Sequence, residues 1–403
     1  MLNFSPNDPE ILHIDLNSCF ASIEQQANPF LRNKPIAVAA YDSPGGCIVA
    51  QSVEAKKLGI KVGMRVKEGK LLCRDLVVLP PDPDKYRDVY LRFKKLLSDY
   101  GEPVPKSIDE FVLKMDQPLK YALEIKQRIK SEIGDWLRVS IGIGPNRFLA
   151  KTAAGLHKPD GLDVIDKNNF LEIYRDLKLM DLCGIKKANC IRLNLAGIYT
   201  VLDFYNATSE RLQRSFASVV CHWWYQWLHG WEIEDHKQSR GSFGNSYALP
   251  KLLSMPEDLA PILTKLVEKT GQRMRGGGYY CRGVHVAVLY RDRKFWHHGE
   301  TASEPIFDSR DIYKQAFRIL CQSPYKSPVA ILSESVFNLV PANVSQQSLF
   351  FDEGKKQSLV GSLDKINHKY GDFVVCPALM LGTENLAPDR IAFGGVRELG
   401  MLK

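Results

Sequence analysis

No run of about 18 apolar residues occurs in this 403-residue chain, so no membrane-spanning helix is expected. The N-terminus lacks a basic stretch followed by an apolar one, so a secretory signal is not supported and a cytosolic protein is expected. Cysteines are scattered and odd in number, nine in all, and no Cys-x-x-Cys pair exists among them. Neither a disulfide framework nor a zinc site is favoured. The closest two, Cys183 and Cys190, are expected as reduced core residues.

What is present is ordinary globular composition, with 45% hydrophobic and 25% charged residues. The length suggests two to four domains. Fifty-four Lys and Arg against forty-six Asp and Glu leave a net charge of +8. An excess of this size is compatible with a polyanionic partner and also with simple solubility. Part of it is local: between Lys237 and Glu300, eleven basic residues face five acidic ones.

Ile11 to Leu16 reads as a buried strand running into Asn17-Ser18, a helix cap, and then a helix from Cys19 to Gln26. Pro35 to Ala40 and Cys47 to Gln51 read as strands joined across Asp42-Ser43-Pro44-Gly45-Gly46, with a short helix from Glu54 to Leu58. Apolar residues at spacings of three and four predict helices over Asp84 to Tyr100 and from Ala122 to Trp136, with strands at Phe111 to Met115 and Arg138 to Ile143. This alternation indicates an α/β first domain. From about Leu171 short helices take over, and four tryptophans between Trp223 and Trp231 suggest a small helical core. Glu232 to Gly244 has linker character, and a further domain begins near Asn245, with a helix over Glu257 to Arg275 and a strand through Val284, Val286 and Val288. Arg291, Arg293 and Lys294 follow that strand, as a basic sheet edge suited to phosphates or as a solvated face. Beyond Pro341 the chain reads as a tail, apart from a helix with Leu359, Leu363, Ile366 and Tyr370 on one face.

Three carboxylates could carry chemistry. Asp15 ends the first strand, and Asp109-Glu110 precedes a later one. Neighbouring strand side chains point to opposite faces, so Asp109 and Glu110 share a site only from a turn or bulge. Three carboxylates suffice for two magnesium ions, which prefer oxygen ligands and share them with substrate phosphates.

His13-Ile14-Asp15-Leu16-Asn17-Ser18-Cys19-Phe20-Ala21, Ser107-Ile108-Asp109-Glu110, and Gly142-Ile143-Gly144-Pro145-Asn146 through Leu149-Ala150-Lys151 to Lys158-Pro159-Asp160-Gly161 resemble, in order and spacing, the signature blocks of Y-family, or translesion, DNA polymerases. Cys47-Ile48-Val49-Ala50 with Ser52 and Glu54-Ala55-Lys56 leans toward the branch holding the catalytic subunit of bacterial DNA polymerase V. Polymerase IV types usually have Tyr and Arg where Val53 and Lys56 stand.

The resemblance implies an α+β multidomain right hand. Its α/β palm would take residues 1–18 and 77–167, small fingers 19–76, a helix-hairpin-helix thumb 168–237, an α/β little finger 238–340, and a tail 341–403. Asp15, Asp109 and Glu110, with the Leu16 carbonyl, would hold two Mg²⁺ ions. Phe20 would be the steric gate against ribonucleotides, where the motif-free reading is a core phenylalanine. Backbone amides at Cys19 and Phe20, with Lys56 and Lys158, would hold the triphosphate, and Cys47 and Val49 would roof the nascent base pair. Gly184 and Gly197 would offer thumb amides to DNA phosphates, with Lys186 a departure from the usual glycine. Arg291 and Arg293 would contact the backbone from the little finger.

Gln346, Leu349 and Phe350 resemble a sliding-clamp-binding peptide. Primer-template DNA, deoxynucleoside triphosphates, the clamp and accessory mutagenesis proteins would be the partners, in a cytoplasmic, nucleoid-associated bacterial setting. Two rival readings are a catalytically inactive clamp-bound adaptor and a nucleotide cyclase, the latter leaving the thumb and basic last domain unexplained.

Overall fold

Every residue of the apolar segment Ile11–Leu16 is buried, as expected for a strand covered on both faces. It lies at the centre of the first sheet in the computed structural model, which describes residues 2–233, 240–344 and 353–388. The chain divides into two compact units, residues up to 235 and residues 236–389.

The first unit opens with β1 (Ile11–Leu16), α1 (Cys19–Ala27), β2 (Ile36–Ala39), β3 (Ile48–Gln51), α2 (Val53–Lys57), α3 (Val66–Leu72) and β4 (Val77–Leu79). It continues through α4 (Pro83–Leu97), β5 (Val104–Pro105), β6 (Glu110–Lys114), α5 (Pro118–Arg128), β7 (Val139–Gly144), α6 (Arg147–Leu156) and β8 (Leu162–Val164). One sheet has the order β5-β6-β1-β7-β8, and a smaller one, within residues 36–79, the order β3-β2-β4. Leu12, Ile14, Tyr86, Phe93, Phe111 and Ile141 form the core of the larger sheet and its helices.

Helix α4 buries Tyr86, Val89, Tyr90, Phe93, Leu96 and Leu97, the face its period predicts, and ends at Leu97 with a tighter turn over Ser98–Tyr100. Helix α5 stops at Arg128 and widens over Ile129–Ile133. Trp136, expected on that helix, lies beyond it, where its indole N–H donates to Gln25 at 3.1 Å.

Gly142 has a packing reason to be glycine: a Cβ there would sit 2.0 Å from the Ala150 carbonyl oxygen and 2.1 Å from the Ala154 nitrogen. Its absence lets α6 lie directly on β7.

The helical part follows: α7 (Phe170–Asp176), α8 (Lys187–Leu195), α9 (Val201–Asn206), α10 (Ser209–Phe216) and α11 (Val220–Leu228). Leu182, Ile185, Leu193, Phe204 and Trp224 fill its interior, in line with the tryptophan-bearing core expected there. Cys183 departs from expectation: it is exposed, and both it and Cys190 are free thiols. It sits in the turn ahead of α8, where only its flanking Leu182 and Ile185 point inward.

The second unit comprises β9 (Ser242–Ala248), α12 (Pro256–Gly276), β10 (Tyr279–Tyr290), β11 (Phe295–Ile306), α13 (Ser309–Cys321), β12 (Val329–Pro341) and α14 (Glu353–Tyr370). Its antiparallel sheet has the order β11-β10-β12-β9. Strand β9 begins at Ser242, ahead of the expected Asn245. Val284, Val286, Val288, Leu332 and Val336 are buried on the sheet face that α12 and α13 cover.

The expected tail is in part built into this unit. Arg275 of α12 makes a two-pronged pair with Asp364 of α14 at 2.7 and 2.8 Å. Lys265 donates to the carbonyls of Thr383 and Glu384 at 2.6 and 3.0 Å. The apolar face expected for α14 is not the inward one, since Leu359 and Tyr370 are exposed while Val360 is buried. Asp364, which pairs with Arg275, and Val360 face α12 and its neighbours, with Leu363 half-buried beside them. Among the described residues no helix is long and apolar enough to cross a membrane.

Candidate active site

Antiparallel pairing of β1 with β6 sets Asp15 directly opposite Glu110, so both carboxylates lie on one face of the sheet. Strand β6 starts at Glu110, and Asp109 stays in the bend before it, its carbonyl accepting the Leu16 amide at 2.9 Å. The adjacent carboxylates can therefore share a site, as the strand alternation required.

Asp109 accepts a 2.5 Å hydrogen bond from the Ser107 hydroxyl. Burial pushes its pKa above the usual carboxylate range, and the negative Asp15 and Glu110 nearby push the same way. Glu110 behaves oppositely. Burial alone would raise it, but His13 and the Lys151 ammonium, 2.5 Å from Oε2, outweigh that and bring it down to about 2. Asp15 in turn holds the Lys158 ammonium at 2.5 Å.

His13, two residues before Asp15 on the same strand face, is only 2% exposed. Its Nε2 finds no hydrogen-bond partner and lies 3.4 Å from Glu110 Oε2. His13, Asp15 and Glu110 present ligand atoms within 4.8 Å of one another. Asp109, expected as a third ligand, is not in that tight group, although its carboxyl senses both other charges. The clustered carboxylate oxygens of Asp15 and Glu110, with Asp109 beside them, fit a divalent cation of the hard, oxygen-preferring kind.

Beside the carboxylates opens a cleft of about 350 Å³ lined by Asp15, Asn17, Ser18, Val53, Lys56, Lys57, Lys158 and Pro159. The expected cations Lys56 and Lys158 are brought together there, and Lys57 joins them. Burial, followed by the nearness of Lys158, lowers the Lys56 pKa.

Asn17 and Ser18 do not cap α1 as expected. Ser18 occupies the cap position in the left-handed region, at φ 52°, and no side chain caps the helix. Asn17 instead uses its Oδ1 to accept the Asp160 amide at 2.7 Å and the Ser140 hydroxyl at 3.2 Å. It thus ties the end of β1 to the loop carrying Lys158.

Residues 14–155 match the model of the impB/mucB/samB family, and residues 240–349 match that of the family's C-terminal domain. The chain belongs to this family, the Y-family DNA polymerases. It is 32% identical over 391 residues to DNA polymerase IV of Moorella thermoacetica, across 93% of this chain and 97% of that protein. It is 31% identical over 376 residues to DNA polymerase IV 1 of Bacillus subtilis, across 90% of each. Among solved structures, a Y-family Dbh and Dpo4 chimera superposes with a TM-score of 0.72 at 22% identity, covering 82% of this chain and 99% of that one. An insertion ternary complex of Dbh DNA polymerase gives 0.54 at 22% identity, with the same coverage. The two bacterial relatives carry the polymerase IV name, so the leaning toward polymerase V rests on the segment from Cys47 to Lys56 alone.

In this Y-family polymerase the fold is the α+β right hand, with α/β palm, small fingers, helical thumb and α/β little finger. Phe20 is buried, 3% exposed, and its ring stacks on Tyr86 with centroids 4.3 Å apart. Cys19 beside it is buried too, its thiol pushed well up by burial and then by Asp109 and Asp15. Cys47 is exposed, while Val49 is half-buried against the core around Leu12 and Ile14.

In the helical part, Gly184 and Gly197 take φ of 82° and 74°, the left-handed backbone that tight turns between helices use. Asn189 donates to the Gly184 carbonyl at 3.0 Å, and Arg211 donates to the Ala196 carbonyl at 2.7 and 3.1 Å. Arg291 and Arg293 are not on a basic sheet edge. Both lie in the turn joining β10 to β11, and Arg291 donates to the Leu249 carbonyl at 2.8 Å. Gln346, Leu349 and Phe350 of the clamp-like peptide lie outside the described residues.

His13, Lys151, Asn17 and Arg211 are the residues whose positions the sequence reading did not anticipate. The His13-x-Asp15 alternation on a strand carried one usable signal. Lys151 falls within a signature block, and only the packing of α6 on β7 brings it to Glu110.

Proposed function

We propose that this polymerase extends primers opposite damaged template with Mg²⁺ as its metal. The observation that carries the reading is the β1–β6 register, which sets Asp15 against Glu110 beside a lysine-lined cleft. Asp15, Asp109, Glu110 and the Leu16 carbonyl would hold two ions, which when bound neutralise charge on the triphosphate and favour attack by the primer 3′-hydroxyl with departure of pyrophosphate. The chain's own residues supply positioning. Ser107 orients Asp109, and Lys56 and Lys158 hold the triphosphate, with the uncapped start of α1 offering its amides to the same anion. Val53 brings no hydroxyl to that contact, and Lys57 adds a cation to the cleft.

Phe20 serves as the gate against a 2′-hydroxyl, and Cys47 and Val49 as small roof residues that leave room for distorted bases. Fidelity therefore rests mainly on base pairing and is low. We assign palm to 1–18 and 77–167, fingers to 19–76, thumb to 168–237 and little finger to 238–340. The turns at Gly184 and Gly197 hold DNA phosphates without reading sequence. Arg293, in the exposed turn after β10, adds a backbone contact. Gln346, Leu349 and Phe350 bind the sliding clamp, and accessory mutagenesis proteins modulate the enzyme.

Primer extension by the full chain, with Mg²⁺ or with chelator and across a panel of defined template lesions, tests this reading. Template-dependent incorporation that chelation abolishes supports it. Normal DNA binding without extension would sink it. Clamp binding that survives Leu349→Ala combined with Phe350→Ala would remove the peptide assignment.

A further inference from the structure

Each of the two facing carboxylates holds a lysine. Lys158 Nζ lies 2.5 Å from Asp15 Oδ2, and Lys151 Nζ lies 2.5 Å from Glu110 Oε2. Both come from the one helix that Gly142 lets onto the sheet: Lys151 sits within α6, and Lys158 follows shortly after its end. We propose that Lys151 and Lys158 are resident counter-ions, exchanged when divalent ions load, so that ion binding at Asp15 and delivery of Lys158 to the triphosphate form one coupled event. The proposal rests on the metal and triphosphate assignments above.

Charge balance is the first argument. Asp15, Asp109 and Glu110 gather at one end of the cleft, and Lys56, Lys151 and Lys158 lie against them. These opposing charges nearly cancel before any ligand arrives. Divalent ions alone would leave the site strongly positive, whereas ions arriving with a triphosphate restore the balance. The like-charge cost of placing an ion beside an ammonium is large in a half-buried site.

The lysines are also able to leave. Their side chains are 40% and 38% exposed, and each is a flexible stem ending in a point charge. Lys158 already lines the cleft with Lys56 and Lys57, so a triphosphate bound there offers it a second anion. Burial and the proximity of Lys158 already press the Lys56 charge, a strain that an anion in the cleft relieves. By linkage, whatever the ion gains from nucleotide the nucleotide gains from the ion.

The test is Mn²⁺ binding to the full chain without DNA, read from the free-ion electron paramagnetic resonance signal. Lys151→Met and Lys158→Met are each expected to tighten Mn²⁺ about tenfold in the absence of nucleotide. Lys151→Arg and Lys158→Arg, which keep the charge, are expected to match the wild type. A non-hydrolysable deoxynucleotide is expected to tighten Mn²⁺ less in Lys158→Met than in the wild type, because that lysine is no longer there to be handed over. Unchanged or weaker Mn²⁺ binding in either methionine variant, with melting curves showing a folded chain, overturns the exchange. Primer extension by the same wild-type preparation separates the two readings, since extension with unaltered Mn²⁺ binding in the variants removes the exchange and leaves the polymerase assignment standing.

Discussion

Asp15 and Glu110 stand opposite one another in the β1–β6 register, and the Leu16 amide next to Asp15 is tied to the Asp109 carbonyl at 2.9 Å. The backbone therefore fixes Asp109 at the shoulder of the pair independently of its side chain. Asp109→Asn keeps shape and removes one charge. Primer extension is expected to fall by about 10²–10³-fold, as when a group that stabilises transition-state charge is lost. DNA affinity is expected to be unchanged. Stability is expected to rise slightly at neutral pH, because a buried carboxylate beside two others has been removed. Single-turnover extension, filter binding and a thermal melt check the three parts.

Phe20 is both a candidate gate and a core residue, and its stack on Tyr86 makes these roles separable. Phe20→Ala is expected to cost roughly 3–5 kcal/mol as a core truncation and to raise the ribonucleotide to deoxynucleotide ratio of kcat/KM by about tenfold or more. Phe20→Leu, which keeps most of the apolar volume, is expected to recover stability and to lie between wild type and alanine in ribonucleotide use. Equal ribonucleotide rejection in all three proteins would leave Phe20 as core alone.

Much of this was legible in the chain because the informative signals are local. The six-residue run of β1, the face of α4 and the signature blocks each depend on near neighbours in sequence. What stayed hidden depends on contacts between distant segments. Lys151 meets Glu110 only because α6 lies on β7, and Asn17 looked like a helix cap because its real partners, Ser140 and Asp160, lie far along the chain. Arg291 reads as a DNA contact in a basic stretch, yet a carbonyl at Leu249 engages it. The inward face of α14 could not be read from its apolar residues, since it carries Asp364, whose partner Arg275 lies far along the chain.

Arg211 grips the turn at Gly197 by donating to the carbonyls of Ala196 and Gly197. An arginine engaged in this way is expected to hold the shape of the turn and not to contact phosphate itself. Arg211→Ala is expected to weaken primer-template binding several-fold with an unchanged slope of log affinity against log salt. A phosphate-contacting arginine would lower that slope by about 1. Gly197→Ala is expected to act in the same direction, because φ is 74° and a Cβ would lie 2.9 Å from Arg211 Nη2. Fluorescence anisotropy over a salt series reads both.

Glu334 of β12 is 1% exposed, and neither carboxyl oxygen has a hydrogen-bond partner. Burial pushes its pKa up to about 8, with Thr270 and Arg273 only partly opposing. A folded-state value above the unfolded one means that the native state holds the extra proton. Its stabilising effect is present below the unfolded pKa of about 4.5 and is lost as pH rises through 8. Over that window the loss is roughly 4–5 kcal/mol. Glu334→Gln fills the same space without a proton to lose. Scanning calorimetry is expected to find the variant and wild type nearly equal at pH 4.5 and the variant increasingly more stable toward pH 8.5, in the transition of the second unit. A constant difference across that range would show that Glu334 stays in one protonation state throughout.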